Sequence, residues 1–294
     1  MSSTKAENKI DFKLLARHLT QVENNLPGAD DLLKGLKFNA NVPVIGLTGP
    51  PGAGKSTLVN ALIGELLKEG KRIAVLAVDP TSPFNMGSLL GDRIRMTSHF
   101  NHPDVFIRSV ATRGWVGGLS VKTMEMTDVL KAAGFDTIII ETVGVGQSEI
   151  DIAGLADITM VVLVPESGDE IQHIKSGLME IADAFIVNKA DRDNGDAFAN
   201  NLQKLIHYNQ VQVPVFKTVA INNTGIAAVL EHVYTQDTTK SIKKLHLLTE
   251  KVYRLIQYNR MHDIEKNKLR EIIAGVYLKS DFNIYRFADD FMNS

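Results

Sequence analysis

VPVIGLTGPPGAGKST, residues 42 to 57, joins an apolar run to a glycine loop that opens into helical spacing at Leu58, Ala61, Leu62 and Leu66. Strand, glycine loop and helix in this order are the context that a phosphate-binding P-loop requires. Gly49, Pro50, Pro51, Gly52, Ala53, Gly54, Lys55, Ser56 and Thr57 form that loop here. Its glycines let backbone N–H groups crowd around a polyphosphate, at a helix N-terminus that already carries partial positive charge. Lys55 supplies a point charge for the outer phosphates, and the Ser56 hydroxyl can ligate Mg²⁺. A plain glycine turn is the bland alternative, but the pattern is too long to expect by chance in a chain of this size. The stretch predicts a nucleoside triphosphate site.

The bulk composition narrows the field. The 294 residues are 44% hydrophobic and 22% charged with a net charge of −2, which gives no reason to expect nucleic-acid or anionic-membrane binding. No run approaches the ~18 apolar residues of a membrane span, and residues 1–13 do not read as a signal peptide. A cytoplasmic location is expected, with a mitochondrial matrix form left open. The chain has no cysteine, which excludes disulfides, thiolate zinc sites, iron–sulfur clusters and a cysteine nucleophile.

Apolar runs recur at 42–48, 72–78, 105–110, 136–141, 158–164, 184–188 and 213–219, with helical stretches near 55–69, 120–133, 168–182, 196–208 and 225–235. The runs are continuous rather than alternating, as parallel strands covered on both faces require. The expected fold is an α/β, doubly wound, mostly parallel sheet with ligands at the carboxyl ends of its strands. The P-loop, Asp79, Glu141 and Asn188 all fall at such ends, so one crevice can gather them. The expected organisation is an N-terminal helical extension over 1–40, a P-loop nucleotide-binding domain over 41–238 and a helical C-terminal arm over 239–294. In that arm Leu245, Leu248, Val252 and Leu255 form a narrow stripe. It packs either on its own domain or on a second copy, as a homodimer arm.

The tetrapeptide NKAD, Asn188 to Asp191, follows the strand at 184–188. A carboxylate there can accept two hydrogen bonds from guanine N1–H and its exocyclic amine. Adenine lacks that donor pair and would leave the carboxylate unsatisfied. Asn188 would tie the loop together, and the aliphatic stem of Lys189 can lie along the base. A second base-binding loop should follow the next strand, where Val219, Ala220 and Ile221 stand. Valine replaces the usual serine at 219, so a hydroxyl contact is lost while the Ala220 N–H remains. The reading is GTP and GDP, with Mg²⁺.

Asp79 in VDPTSPF and Glu141 in ETVGVGQSE lie where they reach Mg²⁺ directly or through its water shell, with Ser56 as a further ligand. Asp92 in GSLLGDRIRM is a third acid, read either as a metal residue or as a surface partner of Arg93 or Arg95. Gly144 can offer its N–H to the γ-phosphate, tightening its loop with the triphosphate. Val145 follows it, where small Ras-like GTPases place a water-orienting glutamine, and Gln147 is three residues on. Slow intrinsic turnover is expected, with Asp79 the candidate for positioning the attacking water alongside Lys55 and Glu141. Arg113 in TRGWVGGLS either anchors that loop or stabilises charge in the transition state.

Together GPPGAGKSTLVNAL, VLAVDPTSPF, GSLLGDRIRM, TRGWVGGLS, ETVGVGQSE, VPESGDEIQHIKSGLMEIAD and VNKAD resemble the MeaB/ArgK family, the GTPases associated with methylmalonyl-CoA mutase. The resemblance is strong from Val42 to Asp191 and weaker towards both ends. It implies a homodimeric G protein that gates delivery of adenosylcobalamin to a cobalamin-dependent acyl-CoA mutase and protects that enzyme. It also implies that Lys55, Asp79, Asp92 and Glu141 serve nucleotide and Mg²⁺. The segment Ser167–Gly177, with Gln172 and Lys175, would couple nucleotide to partner. A kinase of a transport-system protein is the alternative, disfavoured by the guanine-reading tetrapeptide and by the lack of an acceptor-binding domain. The chain carries no D-x-H-x-x-G pattern for ligating cobalt, and its eight histidines are scattered, unlike a nickel store.

Overall fold

The continuous apolar runs become seven strands: β1 (Val44–Thr48), β2 (Ile73–Asp79), β3 (Val105–Ala111), β4 (Thr137–Thr142), β5 (Ile158–Leu163), β6 (Ala184–Asn188) and β7 (Val215–Thr218). The computed structural model describes residues 10–37, 42–79, 97–111, 121–142, 152–166, 176–208, 213–236, 242–261, 264–277 and 282–292. The strands form one sheet in the order β3-β2-β4-β1-β5-β6-β7, and every pairing between them is parallel. The sheet is therefore parallel throughout, beyond the mostly parallel arrangement that the apolar runs alone predict. β1 lies at its centre, where chain progression turns from one wing to the other, which is where such sheets open a ligand crevice.

Helices among the described residues are α1 (Phe12–Glu23), α2 (Ala29–Lys34), α3 (Lys55–Lys68), α4 (Val121–Ala132), α5 (Ser176–Ile181), α6 (Gly195–Tyr208), α7 (Ile226–Thr235), α8 (Ile242–Met261), α9 (Lys266–Ala274) and α10 (Ile284–Met292). Alternation along each strand sends side chains to two cores. Ile45, Leu47, Ile139, Met160, Val162 and Ile186 pack with Leu58, Leu62 and Leu66 of α3 and Val229 of α7. The opposite face is covered in two halves. Over β2, β3 and β4 lie Leu15, Leu19 and Val22 of α1 with Met126 and Leu130 of α4. Over β5 and β6 lie Met179 of α5 and Phe198, Leu202 and Ile206 of α6.

The N-terminal helix is thus built into the sheet's own core. Asp11 caps it by accepting from the Lys13 and Leu14 amides, both at 2.9 Å. Phe12 meets Phe106 edge-on at 5.5 Å and stacks on Phe135 at 6.2 Å. Arg108 of β3 donates to the Ala16 carbonyl, the Thr20 hydroxyl and the Glu23 carboxylate. Gly46 allows the close approach of the turn at Ile152–Gly154, since a Cβ there would meet Ile152 Cγ1 at 2.7 Å and Ala156 Cβ at 2.8 Å.

The chain divides into two compact units, Met1–Thr249 and Glu250–Ser294. The sheet and both of its cores belong to the first. The second is helical, and its Phe287 lies tilted against Phe282 at 5.9 Å and stacks on Phe291 at 6.2 Å. Among the described residues no helix is long and apolar enough to cross a membrane.

Candidate functional site: a crevice at the carboxyl ends of the strands

The P-loop leaves β1 at Thr48 and turns sharply enough that only glycine fits at two places. Gly49 has φ of 141°, and a Cβ on it would lie 2.1 Å from the Val162 carbonyl oxygen of β5. Gly54 has φ of 84°, and a Cβ there would strike Asn188 Nδ2 at 2.5 Å. The first glycine lets the loop lie against the sheet, and the second lets β6 touch the loop. Lys55 and Ser56 then open α3, both buried. The Lys55 ammonium donates to the Gly49 carbonyl at 2.7 Å and the Pro50 carbonyl at 3.0 Å. It is held over the loop's own mouth, where an arriving phosphate would meet it.

Strand alternation also fixes the acid. Glu141 pairs in register with Leu47 and shares a strand face with Ile139, the face covered by α3. Its carboxylate, 5% exposed, accepts from the Ser56 hydroxyl at 2.6 Å. A hydroxyl and a carboxylate buried side by side at a P-loop are hard oxygen donors, the ligand type that Mg²⁺ takes. This donor set fits the ion. Thr142 faces the other way and donates to the Leu47 carbonyl at 3.3 Å, which fastens the end of β4 to β1.

Asn188, the last residue of β6, is 2% exposed and joins three loops. Its Nδ2 donates to the Ala53 carbonyl at 3.0 Å, while its Oδ1 accepts from the Thr218 hydroxyl at 3.1 Å and the Ala220 N–H at 3.2 Å. Lys189, with φ of 56°, donates from Nζ to the Gly52 carbonyl at 2.7 Å. Beyond them Asp191 is exposed, and it lines a cavity of about 500 Å³ with Pro165, Glu166, Arg192, Asp193 and Asn194. Arg192 pairs with Glu166, and that guanidinium holds the Glu166 carboxyl below the usual carboxylate range. Val219 to Thr224 form a tight turn closed by bonds between those two residues, with Ile221 81% exposed at its tip.

The structure therefore brings Gly49 to Thr57, Glu141, Asn188, Lys189 and Ala220 to one end of the sheet. The Ala220 N–H, expected to face a base, is instead bonded to Asn188, because the 3₁₀ turn Ala220–Asn222 starts against the end of β6. Asp79 ends β2, and its side chain lies outside the described residues, as do Asp92, Arg113, Gly144, Val145, Gln147, Gln172 and Lys175. Of the helix expected over 168–182, Ser176–Ile181 is described. Sequence reading missed Thr218, which holds Asn188 from behind, and the Glu166–Arg192 pair. Thr218 carried one available signal, its position at the end of β7 opposite Asn188.

This fold and loop set define a P-loop GTPase. The family described as Methylmalonyl Co-A mutase-associated GTPase MeaB matches residues 15–272, and the chain belongs to that family. It is 44% identical over 276 residues to a protein of Pyrococcus abyssi named as a GTPase, spanning 91% of this chain and 82% of that one. It is 34% identical over 284 residues to GTPase ArgK of Escherichia coli K12, spanning 92% and 84%. Among solved structures, one described as a LAO/AO transport system kinase superposes with a TM-score of 0.63 at 25% identity, covering 97% of this chain and 95% of that one.

The crosslink at Asn188 makes a direct prediction. Asn188→Ala leaves buried groups on two loops without partners, and is expected to cost roughly 2–4 kcal/mol in urea unfolding and to weaken GDP binding. An unchanged unfolding midpoint would show that the two loops are held independently of this side chain.

Proposed function

We propose that this chain binds GTP and GDP with Mg²⁺, hydrolyses GTP slowly, and serves as a nucleotide-gated chaperone of a cobalamin-dependent acyl-CoA mutase. In that role it gates adenosylcobalamin loading and protects the mutase. One observation carries the nucleotide half: Asn188 joins the P-loop to the loop after β7, next to a solvent-facing Asp191. The mutase half rests on membership of a family described as mutase-associated.

In this reading each end of the nucleotide meets a different loop. The P-loop amides and Lys55 grip the phosphates, and Lys55 exchanges its bonds to Gly49 and Pro50 for phosphate oxygens. Ser56 and Glu141, with Asp79 and Asp92 by resemblance, hold Mg²⁺, which neutralises phosphate charge. Asp191 accepts from the guanine edge, the Lys189 stem lies along the base, and Val219, Ala220 and Ile221 border it. Asp79 positions the attacking water, and Gly144 meets the γ-phosphate. Gln172 and Lys175 relay the nucleotide state to the mutase by population shift, so triphosphate and mutase each strengthen the other's binding.

Residues 41–238 are the GTPase domain in this account, 1–40 its helical extension and 239–294 a homodimerisation arm. Support for the arm comes from α8, where Leu245, Leu248 and Val252 are 69%, 50% and 52% exposed along the predicted stripe. A cytoplasmic setting without nucleic acid or membrane fits the near-neutral charge. A kinase reading, raised by the name of the superposed structure, is not favoured, because relatives across the chain's length are named GTPases.

Purified methylmalonyl-CoA mutase is expected to raise the GTP hydrolysis rate of the wild type, with Lys55→Ala abolishing turnover and Asp79→Ala lowering it by about 10²-fold. Absence of both a complex and any stimulation with such mutases would remove the chaperone role. Equilibrium sedimentation should give a dimer that Leu248→Asp converts to monomer; a monomeric wild type would end the arm's assignment.

A further inference from the structure

The loop after β6 sets an acid and a base beside each other in sequence, Asp191 and Arg192. Consecutive Cα atoms are about 3.8 Å apart, so an unrestrained arginine reaches a neighbouring carboxylate easily. Such a contact would occupy the carboxylate oxygens that guanine needs. Among the described residues Asp191 has no side-chain partner, and Arg192 turns instead to Glu166. Both residues of this pair and Asp191 line the same cavity.

The backbone gives the loop little room to solve this otherwise. The Arg192 N–H donates to the Lys189 carbonyl at 3.1 Å, and the Gly195 N–H donates to the Arg192 carbonyl at 3.0 Å. A Cβ on Gly195 would lie 2.2 Å from the Ala190 carbonyl oxygen, so the loop is wound as tightly as glycine allows. Arg192 is fixed next to Asp191, and only its side-chain direction remains to be chosen. Glu166 comes from a different element, immediately beyond β5, whose neighbours in the sheet are β1 and β6.

We infer that Glu166 is a positioning residue for guanine recognition: by holding the Arg192 guanidinium it keeps the Asp191 carboxylate open for the base. This rests on the guanine-binding reading above, in which Asp191 is the acceptor. It adds a third party, at the end of β5, to the two loops already assigned to the base.

The test is a calorimetric cycle on the full chain with GDP, and with ADP as the control, using Glu166→Ala, Arg192→Ala and the double variant. Glu166→Ala frees Arg192 and is expected to raise the GDP Kd about threefold, the scale of an exposed ion pair. Arg192→Ala is expected to bind GDP as well as wild type or better, and the double variant to match Arg192→Ala. The defect of Glu166→Ala should shrink in about 1 M salt, where charges are screened within ~3 Å. If the pair merely tethers the loop, both single variants weaken GDP equally, and the double variant rescues nothing; that result overturns the inference while leaving guanine recognition intact. A wild type that does not prefer GDP over ADP overturns the reading of Asp191, and this inference with it.

Discussion

The side-chain amide of Asn188 is the point on which the site depends. It sits at the end of β6, buried, and spends both its faces on other elements: donor to Ala53 in the P-loop, acceptor from Thr218 at the end of β7 and from Ala220 just beyond it. A buried amide in this position is costly unless fully bonded, so the three loops must hold their relative places for the fold to keep it. Gly54 is glycine for the same reason, since any Cβ would displace the amide. Sequence, packing and the spacing between phosphate grip and base loop are thus set by one contact.

The rest of the crevice follows from strand parity. In a sheet with α3 and α7 on one face, alternate residues of β4 and β6 point to that face, and the last ones to do so are Glu141 and Asn188. One meets Ser56 and the other meets the P-loop backbone. A shift of either strand by one residue would turn these side chains to the opposite face and dissolve the site. The apolar residues of α3, including Leu58, Leu62 and Leu66, hold the register, so core and chemistry are not separable here.

Much of this was legible in the sequence because the signals are local. The β1–P-loop–α3 unit, the continuous apolar strands and the tetrapeptide after β6 each carry their own pattern. Parts set by distant contacts were not legible. α2 was missed, although Asp30 and Asp31 in its first turn and Lys34 in its last are helix-end signals, because six residues give too little periodicity. The Arg108 tether to α1 and the Glu166–Arg192 pair join residues far apart in sequence, and no spacing rule announces them. The Ala220 amide faces Asn188 rather than outward because a 3₁₀ turn begins there, which composition does not encode.

A crystal structure of the chain grown with GDP tests the central claim most directly. The diphosphate is expected inside the loop from Gly49 to Ser56, with Lys55 moved from the Gly49 and Pro50 carbonyls onto phosphate and the Asp191 carboxylate on the guanine N1–H and amine edge. Phosphates bound in the loop with the base turned away from Asp191, or no nucleotide in the crevice, would contradict it.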